Sequence, residues 1–141
     1  MNYKPIQKLV DKLYDEYNVT NPSKDIYKIL DDIGIIIYEK RFLNSYEDEC
    51  IIDNRIFLVS NKNNYVRLAT LLGHLLLQLP EDNTYETSLQ CNAFATMFLV
   101  PEFEIQKDKI NLKELSKKYG VSERIVYYRE QIFLDKFDIS M

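Results

Sequence analysis

The chain has one histidine, His74, and it sits in RLATLLGHLLLQLP, residues 67 to 80. In a zinc-hydrolase helix, H-E-x-x-H sets two imidazoles four residues apart on one face, where both grip a metal, and the glutamate polarises the bound water. The corresponding letters here read TLLGH, with Thr70 in place of the first imidazole and Leu71 in place of the glutamate. A threonine hydroxyl is a poor zinc ligand, and leucine can neither take a proton nor orient water. Two other candidates follow on the next helical stretch. Glu86 and Cys91, with His74, would offer oxygen, sulfur and nitrogen donors for a rebuilt metal site, and Cys91 with His74 alone has the composition of a thiol–imidazole nucleophile pair. Each has a plainer reading beside it. A half-buried imidazole bonded to Glu86, Tyr85 or a backbone carbonyl needs no metal, and a buried free cysteine behaves as a small hydrophobe. The expectation is therefore no catalytic residue, no bound metal and no zinc at His74.

These residues need elements to hold them. Ile6, Leu9, Val10, Leu13, Tyr14 and Tyr17 recur at helical spacing behind Pro5, which predicts a first helix ending near Asn18. NPSKDIYKILDDIG predicts a short second helix, with Ser23 as cap and Gly34 as stop. The period then changes. IIIYEKRF and CIIDNRIFLVS are β-branched and aromatic, with Asp53-Asn54 as a hairpin turn, which predicts about three strands in a small antiparallel sheet built from local pairings. Further helices are predicted over 65–79, 85–99, 112–119 and 122–133. Leu71, Leu72, Leu75, Leu76 and Leu79 run nearly all round the third of the predicted helices, so it should be buried on most sides.

Composition limits the functional classes. At 141 residues with 46% hydrophobic and 28% charged residues, the chain is an ordered domain's worth of sequence. Cys50 and Cys91 form neither a CxxC nor a Cys/His cluster, so a disulfide scaffold is not expected and a reduced, cytoplasmic setting is. No apolar run has the length of a membrane span or the form of a signal peptide, so no membrane partner is expected. The net charge of −4 is uneven: residues 1–106 carry 10 basic and 16 acidic side chains, residues 107–130 seven basic and four acidic. That balance disfavours nucleic-acid binding by the front of the chain and leaves it open for the tail.

Three blocks carry a family resemblance. Arg67, Ala69, Gly73, His74 and Leu77 after the strand RIFLVSN, then Cys91-Asn92-Ala93-Phe94-Ala95 with Leu99-Val100-Pro101, then LKELSKKYGVSERIVYYR, occur in an order that resembles the ImmA/IrrE metallopeptidases over roughly residues 25–135. The resemblance implies a zincin-like α+β fold, a small antiparallel sheet with two helices framing a cleft. It also implies where the metal chemistry would be: on Thr70, Leu71 and His74, with the third ligand near Ser88. Only His74 keeps a ligand type. What the resemblance implies is thus a scaffold without the cut, a pseudopeptidase that binds a repressor or another transcription-associated protein of phage or mobile-element type, as an antirepressor would.

The expected division is a core over 1–106 and a C-terminal helical appendage over 107–141, packed on the core. In that tail, Ser116, Gly120, Val121 and Val126 fall at the small, turn and core positions of a helix-turn-helix. Arg124, Tyr127, Tyr128 and Arg129 on the following helix are candidate DNA or partner contacts, and a DNA-binding regulator using residues 112–131 is the third reading after the binding protein and the rebuilt enzyme. The acidic run Tyr46-Glu47-Asp48-Glu49 is a further candidate interface.

Overall fold

The computed structural model describes residues 2–40, 50–59, 64–78, 84–106 and 109–138. The acidic run at 46–49 and Leu79 lie outside them. Mixed helix and sheet is the architecture, with seven helices and three short strands among the described residues.

Helix α1 (Lys4–Tyr17) starts with Pro5 in its first turn and ends where Asn18 turns left-handed at φ 50°, its N–H bonding the Tyr14 carbonyl. Its buried face carries Ile6, Gln7, Val10 and Leu13, a three- and four-residue spacing that puts them on one side. Helix α2 (Pro22–Asp32) is capped differently from the sequence expectation. Asn21, not Ser23, occupies the cap position, and the Asp25 carboxylate accepts from the N–H groups of Thr20 and Asn21, each at 3.0 Å. Pro22 supplies the pre-set first-turn φ, so the helix begins one residue before Ser23 can act as its cap. Gly34, at φ 91°, ends the helical run as its sequence position implied.

The sheet corrects the all-antiparallel expectation. Strand β2 (Cys50–Ile52) and β3 (Arg55–Val59) form the expected hairpin, with Asp53 left-handed at φ 53° in the turn. Strand β1 (Ile36–Lys40), however, pairs with β3 in parallel, Ile36 opposite Arg55 and Lys40 opposite Val59, giving the order β1-β3-β2. The return strand of the hairpin slots between its predecessor and β1, so neighbours in sequence are not neighbours in the sheet. Alternation then sends Ile56 and Leu58 into the core, while Ile36 and Tyr38 stay exposed and Tyr38 stacks on Phe57 at 4.9 Å.

Helices α3 (Asn64–Leu76) and α4 (Tyr85–Leu99) form the centre of the molecule. Helix α4 begins with the Thr84 hydroxyl accepting from the Thr87 N–H at 3.2 Å, and residues 93 to 99 are buried without a break. A helix with no exposed side along two turns is enclosed by neighbours, here α1, α2, α3 and α7. After Pro101 comes α5 (Glu102–Ile105), a single turn that periodicity did not reveal. Helix α6 (Leu112–Tyr119), capped by Asn111, ends at Gly120 with φ 66°, and α7 (Glu123–Asp138) follows, with the Ser122 hydroxyl accepting from the Ile125 N–H. No helix among the described residues is long and apolar enough to cross a membrane.

Candidate functional site

The face between α3 and α4 gathers the residues singled out by their chemistry. Gly73 is the reason the two helices come so close: a Cβ built there would lie 2.8–2.9 Å from the Cδ1, Cβ and Cγ atoms of Phe94, which is buried completely. Any other residue would have to displace that ring. One turn earlier, the Thr70 hydroxyl donates to the Val66 carbonyl at 2.8 Å. Its proton is bound into its own helix, as those of threonine hydroxyls often are. Leu71 is half-buried and packs on the core; Leu72 is fully buried, but Leu75 is exposed. The leucines therefore do not enclose α3 on all sides, because its outer face opens to solvent.

His74 is half-buried, and its Nδ1 lies 3.9 Å from the Cys91 Sγ. This is the long end of a sulfur contact. The plainer sequence reading had a half-buried imidazole bonded to Glu86, Tyr85 or a backbone carbonyl; the ring is half-buried, while Glu86 and Tyr85 sit in the exposed first turn of α4, Tyr85 at 81% exposure, more than one turn before Cys91. The Cys91 side chain is 5% exposed, and burial pushes its thiol above the usual range. A thiol that holds its proton is a weak nucleophile. Ser88, where the third zinc ligand would fall, is exposed. Among the described residues no three His, Cys, Asp or Glu side chains come within reach of one metal ion. Thr70, Leu71, His74 and Ser88 thus do not fit the zinc site that the motif order implies, and Glu86 does not join His74 and Cys91.

The C-terminal helices bring a second correction. Arg124, Tyr127 and Tyr128 are exposed, the two tyrosines at 47% and 49%, with their rings 6.1 Å apart. Arg129 is not a surface contact at all. It is 1% exposed, its Nε donates to the Val100 carbonyl at 2.9 Å and its Nη2 to the Gln7 Oε1 at 3.0 Å. Burial lowers its pKa to about 10, so the guanidinium remains charged at neutral pH. It is the polar pin that fastens α7 to α1 and to the end of α4.

Other buried polar residues escaped the sequence reading. Glu104, 1% exposed on α5, accepts from the Tyr119 hydroxyl at 2.7 Å and pairs with Lys118 at 2.7 Å, joining α5 to α6. Burial, then the bond to Glu104, raises the Tyr119 pKa above the usual tyrosine range. The Ser116 hydroxyl donates to the Val121 carbonyl across the turn, and Val121 and Val126 are buried as their positions implied. The only sequence signal for the Arg129 pin was its place on the apolar side of α7, three residues after Val126. Comparison with protein-family models, curated proteins and solved structures finds no match to the chain, so its function rests on the geometry above.

Proposed function

We propose that the chain is a non-catalytic regulatory protein on a degenerate ImmA/IrrE-like, zincin-like scaffold, and that it binds a repressor or another DNA-associated regulator and modulates it. Cytoplasm is the setting, and a phage or mobile element the context. One observation carries the reading: at the motif positions for zinc chemistry, Thr70 is bonded to its own helix, Leu71 packs on the core and Gly73 is closed against Phe94. The motif's helix is present and its chemistry is replaced by packing. A carboxylate in the half-buried place of Leu71 would lose part of its hydration without a metal to offset it, whereas leucine packs on the core.

Mixing the purified chain with helix-turn-helix repressors encoded near it tests this directly. A stoichiometric complex in gel filtration, with the repressor uncut and its operator binding changed, is the expected result. Cleavage of the repressor, abolished by His74→Ala, would overturn it.

A second reading has its own support. Exposed Lys117, Arg124, Tyr127 and Tyr128 on α6 and α7 could meet phosphate and stacked bases, with the tail as a helix-turn-helix. Glu114 and Glu123 nearby weaken that footprint. Salt-dependent duplex binding lost in Arg124→Glu would favour it over the protein partner.

A further inference from the structure

We draw no further inference here: the strongest candidate, the apolar outer face of edge strand β1, where Ile36 and Tyr38 are exposed beside Phe57, carries nothing because nothing in the structure shows what covers it.

Discussion

At the scale of single residues, the α3–α4 contact depends on Gly73 having no side chain. Gly73→Ala places a methyl group inside the Phe94 ring's space, and overpacking of that kind costs about 1–3 kcal/mol; urea unfolding should show a lower midpoint with unchanged slope. Cys91 offers a chemical check. Because its thiol is buried and pushed upward, native protein with Cys50→Ser should react with Ellman's reagent far more slowly than the unfolded chain, and His74→Ala should not slow it further. A fast native reaction that needs His74 would identify an activated thiol. The absence of zinc ligands at Thr70, Leu71 and Ser88 was legible from letters alone. Where His74 points was not, since a half-buried ring two turns into the motif and two residues before the end of α3 can meet any of several neighbours, and tertiary contact with α4 decides it.

At the scale of elements, Arg129 pins α7 through two bonds to neutral acceptors. Arg129→Ala leaves the Val100 carbonyl and Gln7 unsatisfied and should cost about 3 kcal/mol, read as an earlier thermal melt. Arg124→Glu, on the exposed face of the same helix, should leave the melt unchanged. The contrast matters for any DNA-binding assay, where charge reversal at Arg129 would unfold the tail and mimic loss of a contact. Helices α1 and α2 were readable because apolar residues at three- and four-residue spacing mark a buried face whatever it packs against, and α4 and α6 keep the bounds expected for them. The parallel pairing of β1 with β3 was not readable. Local sequence specifies a hairpin turn such as Asp53-Asn54, whereas the order of strands depends on where a connection of nine residues returns. Arg129 and Glu104 were misread or missed for a related reason: their polarity marks a surface residue until the partners that satisfy them are known.

At the scale of the molecule, tyrosines tie stability to pH. Burial raises Tyr14, Tyr65 and Tyr119 above the ordinary range, with a bond to Glu104 adding to the last; burial with Glu39 holds Tyr27, and a bond to Asp32 holds Tyr17, at about 12. The folded chain keeps these protons more tightly than the unfolded one. The stability they contribute is therefore complete below the ordinary tyrosine pKa of about 10 and is lost as pH rises through the raised values. Alkaline titration should show a late, steep rise in tyrosinate absorbance coincident with loss of helix, and Tyr119→Phe should make it shallower. The proposed reading of the chain as a binding protein requires that no metal chemistry survives between α3 and α4. The metal content of purified chain is the most direct measurement of that. Zinc well below one ion per chain, unchanged in His74→Ala, is the expected result; one zinc per chain, lost on that substitution, would contradict it.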